Sequence, residues 1–112
     1  MTPSMIVTTT PLLDGYRITT YLGVVRGLVV RAPTISQGLF GGLKTIIGGN
    51  VGAYAEMCEQ AREQSYQLMI DHARQLGAGG VIGMQYDATE IGGQGRSTKV
   101  LCYGTAVVLV KV

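Results

Sequence analysis

GAYAEMCEQAREQSYQLMIDHARQL, residues 52–76, is the stretch on which the fold turns. At about 100° per residue, Tyr54, Met57, Cys58, Ala61, Ser65, Leu68, Met69, His72 and Leu76 share one face. Glu56, Glu59, Gln60, Glu63, Gln67, Asp71 and Arg74 occupy the opposite one. Asn50 offers an N-cap, and Leu76-Gly77-Ala78-Gly79-Gly80 offers a stop. The spacing predicts one long amphipathic helix over Gly52–Leu76. Tyr66, Ile70 and Ala73 make a second, narrower apolar stripe beside the main face. Two stripes imply two neighbours, the chain's own sheet and something outside it.

Working outward, MIVTTT (residues 5–10) is β-branched and stops at Pro11, which predicts a first short strand. Residues 16–31, YRITTYLGVVRGLVVR, predict one long strand that ends before Pro33. Gly23 and Gly27 inside it mark a kink, a bulge or a close backbone approach. Residues 37–50, QGLFGGLKTIIGGN, are apolar and glycine-rich, and predict a short or distorted helix lying against something. Beyond the long helix, residues 81–91 and 99–112 predict two strands joined by a hairpin loop at Gly92-Gly93-Gln94-Gly95. The order β-β-α-β-β gives a single α+β domain over residues 1–112, with a mostly antiparallel sheet and the helix on one face.

Composition points to company. Nine basic and seven acidic residues make 14% of the 112, against about 25% in an ordinary soluble domain. Hydrophobic residues reach 46%. A domain this small buries only roughly 65% of its unfolded surface, so a surplus of apolar area is left to meet a partner. Val107, Val108, Leu109 and Val110 are apolar on both sides of the pleat, the pattern of a strand covered on two faces. These four, the Tyr66/Ile70/Ala73 stripe, and Leu39 and Phe40 are the candidate contacts between copies of the chain.

Neither nucleic acid nor a bilayer is an expected partner. The basic residues scatter from Arg17 to Lys111, unlike the clustered basic face of a nucleic-acid binder. Residues 100–110 are the longest apolar run, interrupted by Gly104 and Thr105. They fall short of the about 20 residues needed to span a bilayer. Residues 1–10 lack the basic and apolar regions of a signal peptide. The expected location is the cytoplasm.

Groups that do chemistry are sparse. Gly38-Leu39-Phe40-Gly41-Gly42-Leu43-Lys44-Thr45 departs from the phosphate loop G-x-x-x-x-G-K-[ST] at Leu43. A side chain there would obstruct the backbone wrap around phosphates. His72 is the single histidine and lies on the apolar helix face, where a packed, hydrogen-bonded role is expected. Cys58 is fourteen residues away on the same face. At the helical rise that is about 21 Å along the axis. The two cannot share one ion within a subunit, although Cys102 could approach either from the sheet. Cys58, Cys102 and His72 are thus weak metal candidates in no motif spacing. Glu59 and Glu63 lie one turn apart but read as a solvated face, with Arg62 and Arg74 as ion-pair partners of small worth. An enzyme would need an interface cleft built from Tyr86, Asp87, Glu90 or Arg96. No catalytic constellation or cofactor motif supports one.

Several strings in order resemble the YbjQ-like family of bacterial proteins, which carries a heavy-metal-binding label. They are Thr8-Thr9-Thr10-Pro11, Gly23-Val24-Val25-Arg26-Gly27, Gly48-Gly49 with Gly52-Ala53-Tyr54, and Ala61-Arg62. The match continues through Ala73-Arg74-Gln75-Leu76-Gly77-Ala78, Val81-Ile82-Gly83, Asp87 and Tyr103-Gly104-Thr105-Ala106-Val107. The resemblance implies a dodecin-like subunit that closes into a five-fold ring, and no established reaction. Some members carry a cysteine just before the Gly-Val-Val string, where this chain has Leu22; a metal site built on that cysteine is lost here. The expected role is a non-enzymatic ring that binds or scaffolds, the alternative being metal or small-ligand binding at subunit boundaries or the ring centre.

Overall fold

The computed structural model describes residues 5–31, 51–91 and 97–112. Four strands and one helix follow in the order β1 (Ile6–Val7), β2 (Tyr16–Arg31), α1 (Val51–Gln75), β3 (Gly80–Ile91) and β4 (Ser97–Lys111). The sheet order is β1-β3-β4-β2. β4 pairs antiparallel with β2 along Tyr16–Arg31 and with β3 along Gly80–Ile91, while β1 joins β3 in parallel. The α+β expectation holds: among the described residues a mostly antiparallel four-stranded sheet carries one helix. Residues 32–50 and the hairpin loop, and with them the expected short helix, Asn50, Leu39, Phe40 and the phosphate-loop-like string, lie outside the described residues.

The first strand is shorter than MIVTTT suggests. After Val7 the threonine hydroxyls take over the local bonding: Thr10 N–H donates to Thr8 Oγ1 at 3.1 Å, and Thr10 Oγ1 to the Leu12 carbonyl at 2.6 Å. Such side-chain bonds compete with a ladder. Even so, Thr8 N–H reaches the Val81 carbonyl and Met84 N–H the Thr8 carbonyl, so residues 6–10 lie along the start of β3.

β2 is indeed one long strand, with register shifts between Ile18 and Thr20 and between Tyr21 and Gly23. Gly27 is the point of contact with the helix. A Cβ there would run into the Ser65 carbonyl and press on Leu68 Cβ and Met69 N. Only a residue without a side chain lets α1 settle this close to the sheet. The helix then ends in a Schellman motif. Ala78 N–H bonds the Ala73 carbonyl at 3.0 Å and Gly77 N–H the Arg74 carbonyl at 2.9 Å. Gly77 supplies the left-handed residue that this ending requires.

This seating corrects the two-neighbour reading of the helix. The core cluster is Val25, Met69, Ile70, Ala73, Val81, Cys102 and Ala106, with Met5, Val7, Leu22, Tyr66, Ala78 and Met84 packed around it. Ile70 and Ala73 therefore meet the chain's own sheet and present no surface to another copy. Because α1 is centred on Ser65 and Met69 over β2 and β4, its second stripe turns towards β3 and closes the core. Leu68 and Leu76, assigned to the main face, remain 47% and 42% exposed. Ser65 is fully buried and satisfied through the Arg62 carbonyl, 2.8 Å away.

Strand length sets the shape. The sixteen residues of β2 extend roughly 50 Å at about 3.3 Å each, and the molecule measures 56 × 29 × 21 Å. Its radius of gyration is 17.5 Å, where a compact chain of this length would have about 13 Å. The single helix among the described residues cannot cover both faces of such a sheet.

Candidate functional site

The two faces of the sheet differ sharply. Along β2, Val25 and Gly27 are buried beneath the helix, whereas Val24, Leu28 and Val30 are 69%, 53% and 56% exposed. The register continues the outer row across the sheet. Val24, Arg26, Leu28 and Val30 lie beside Thr105, Tyr103, Leu101 and Lys99 of β4, and the last three of these beside Gln85, Asp87 and Thr89 of β3. Tyr103 Oη donates to Gln85 Oε1 at 3.1 Å on this face. Aliphatic side chains thus dominate the β2 side, and polar ones the β3 side. β2 is also an edge strand, paired only with β4 among the described residues.

On the inner face, α1 lies over β2 and β4, and a mixed cluster forms where it leaves β3. The Arg62 guanidinium stands 5.5 Å from the Tyr86 ring centroid. That is a cation–π arrangement. Partial burial raises the Tyr86 phenol above its ordinary pKa, with Cys102, Tyr66 and Glu63 adding to the shift and Arg62 opposing it. Beneath it Cys102 is fully buried, and its Sγ donates to Met69 Sδ at 3.6 Å. Burial pushes the Cys102 thiol up to about 11, and a hydrogen bond with Tyr86 works the other way. Glu63 accepts from Gln67 Nε2 at 3.1 Å. As expected, Arg62 pairs with Glu59, at 3.4 Å on exposed surface; Arg74 pairs instead with Asp71 at 3.7 Å.

A family model, YbjQ_1, described as "Putative heavy-metal-binding", matches residues 5–110. The chain belongs to that family. A UPF0145 protein of Legionella pneumophila strain Philadelphia 1 is 60% identical over 106 residues, covering 95% of this chain and 99% of the relative. A UPF0145 protein of Solibacter usitatus is 54% identical over 110 residues, covering 98% and 96%. A crystal structure of a DUF74-family protein of unknown function from Pediococcus pentosaceus superposes with a TM-score of 0.63, covering 95% of this chain and 98% of that one. At 19% identity it shows a shared fold and nothing further. No helix among the described residues is long and apolar enough to cross a membrane.

The family's description can be tested on the three candidate donors. Cys102 lies in the core against Met69. His72, half-buried on the α1 flank above the sheet edge, accepts the Arg26 backbone N–H on Nδ1 at 3.3 Å. Cys58 is half-buried further up the helix, with a free thiol. The fold does not gather these three: among the described residues no group of three or more His, Cys, Asp or Glu side chains could hold a metal ion.

Among the candidate contact residues, Val107 is fully buried within the subunit, and Tyr66 is half-buried against the core. Like Ile70 and Ala73, Val107 gives a neighbour no side-chain surface. Val108 and Leu109 are half-buried, and Val110 is 44% exposed. The surface row Val24, Leu28 and Val30 is absent from the sequence-based candidates. Its signal lies in GLVV and GVVR, apolar at consecutive positions and so apolar on both faces of the strand, the same rule that singles out residues 107–110.

Proposed function

We propose that the chain works as a non-catalytic subunit of a homo-oligomeric ring, five copies in the dodecin-like arrangement that its family resemblance suggests, with a binding or scaffolding role. The observation that carries this reading is the open aliphatic row Val24, Leu28 and Val30 on the face away from the helix. Each such side chain gains about 1.5–3 kcal/mol when removed from water, and a monomer forgoes that gain. Among the described residues β2 is a long edge strand, with neither Lys nor Pro in residues 16–31, and left open it would template uncontrolled pairing. Association of copies relieves both. Native mass spectrometry of untagged protein at micromolar concentration tests the reading. A mass five times that of the 11.9 kDa chain is expected, and a homogeneous 11.9 kDa species contradicts it.

A second reading takes the family's description at its word and puts a heavy metal at the boundary between copies. It is favoured by Cys58, a half-buried thiol outside the core cluster. Elemental analysis of untagged protein, with thermal shifts across a metal panel, decides it: neither retained metal nor any shift rejects the reading.

A further inference from the structure

The family description names a heavy metal, and the chain's own donors are few. Its seven side-chain carboxylates are Asp14, Glu56, Glu59, Glu63, Asp71, Asp87 and Glu90, beside His72, Cys58 and Cys102. All ten lie within the described residues, so the 32–50 and 92–96 segments hold no such ligand in reserve. No three of the ten come together.

We infer that Cys102 and His72, which read as metal donors in the sequence, instead fasten the helix to the sheet, so a single subunit has no heavy-metal site of its own. Cys102 on β4 and Met69 on α1 meet sulfur to sulfur at 3.6 Å in a fully buried position. Two soft donors alone do not complete the three- or four-ligand shell usual for thiolate-bound metals. Metal binding also requires the thiolate. A thiol held near 11, against an ordinary 9.0, supplies about a hundredfold less of it at neutral pH. On the other flank, His72 Nδ1 accepts from Arg26 N–H of edge strand β2. That bond satisfies a backbone donor that β4 does not. A metal at Nδ1 would leave the donor stranded. The pairs sit on opposite flanks of the Gly27 contact, one towards β4 and the other at the β2 edge, and together they fix how the helix is rotated on the sheet.

The inference concerns the inside of one subunit and stands apart from assembly, so both are read on the same sample. Untagged protein of measured mass is titrated with Zn(II), Cd(II) and Cu(I) under reducing conditions, followed by elemental analysis after dialysis. Cys102→Ala, His72→Asn and Cys58→Ser are run in parallel. The expected result is either no retained metal, or metal whose retention Cys102→Ala and His72→Asn leave unchanged. A thiol-reactive disulfide reagent should then modify one of the two cysteines in folded protein, and the second only on unfolding. Metal retained by the wild type and lost in Cys102→Ala or His72→Asn, at unchanged mass and helix content, overturns the inference; so does equal, rapid modification of both thiols. An unexpected oligomeric mass alone bears on the assembly reading and not on this one.

Discussion

The two faces of one strand explain this molecule better than its two ends do. On the inner side of β2, Val25 is fully buried and Gly27 sits against the helix backbone; on the outer side, Val24, Leu28 and Val30 are all more than half exposed. Both rows are rich in aliphatic residues, so hydrophobicity did not choose which face the helix would take. Gly27 did. It leaves the inner face of β2 flat enough for Ser65 and Met69 to reach, and the opposite row, with side chains at Val24, Arg26, Leu28 and Val30, is left for something else to cover.

The sharpest way to break the comparison is to close the inner face. Gly27→Val places branched carbon where the Ser65 carbonyl lies. Overpacking against backbone is expected to cost at least about 3 kcal/mol, read as a lost or strongly lowered urea midpoint by circular dichroism; an unchanged midpoint would show the helix is free to lift. Met69→Ala removes the largest fully buried side chain among the described residues and is expected to cost about 2–5 kcal/mol. The same truncation at Leu68, 47% exposed, should cost under about 1 kcal/mol in the isolated subunit, and equal losses would erase the distinction between core and flank.

A subtler contrast is electrostatic. The buried Cys102 thiol is neutral in the fold and titrates near 11, against 9.0 for an ordinary thiol. Unfolding releases a thiol that ionises earlier, so the stability it contributes is intact below about pH 9 and lost as pH rises towards 11. The loss approaches about 2–3 kcal/mol at the top of that window. Urea melts at pH 8 and pH 10.5 should show a smaller alkaline loss for Cys102→Ala than for the wild type; parallel losses would contradict the burial. Smallest of all, Arg74→Ala breaks an exposed pair with Asp71 and should move stability by no more than about 0.5 kcal/mol.

Much of this was legible in residues. The 3.6-residue period of residues 52–76 announces the helix to within one position at each end, and Gly77 its stop, because both signals are local. β2 and β4 are legible for the same reason. What the sequence could not reveal was rotation: whether Leu68 or Ile70 would face the sheet depends on Gly27, far away in the chain, and on the flank that β3 and β4 offer. Periodicity alone therefore presents the Tyr66/Ile70/Ala73 stripe as a surface, when Ile70 and Ala73 are core and Tyr66 is half-buried against it. The parallel pairing of β1 with β3 is equally non-local. Cys102 and His72 look like donors because residue type is visible in sequence and a partner such as Met69 or the Arg26 amide is not.

The claim at the centre of this account is that the outer face of β2 is covered by copies of the same chain. Val24→Asp combined with Leu28→Asp puts two charges on that face and touches nothing in the core. Light-scattering mass with far-ultraviolet circular dichroism on the double variant should give an 11.9 kDa particle with the wild-type helix signal. A variant that keeps both the wild-type signal and the wild-type oligomeric mass would contradict it.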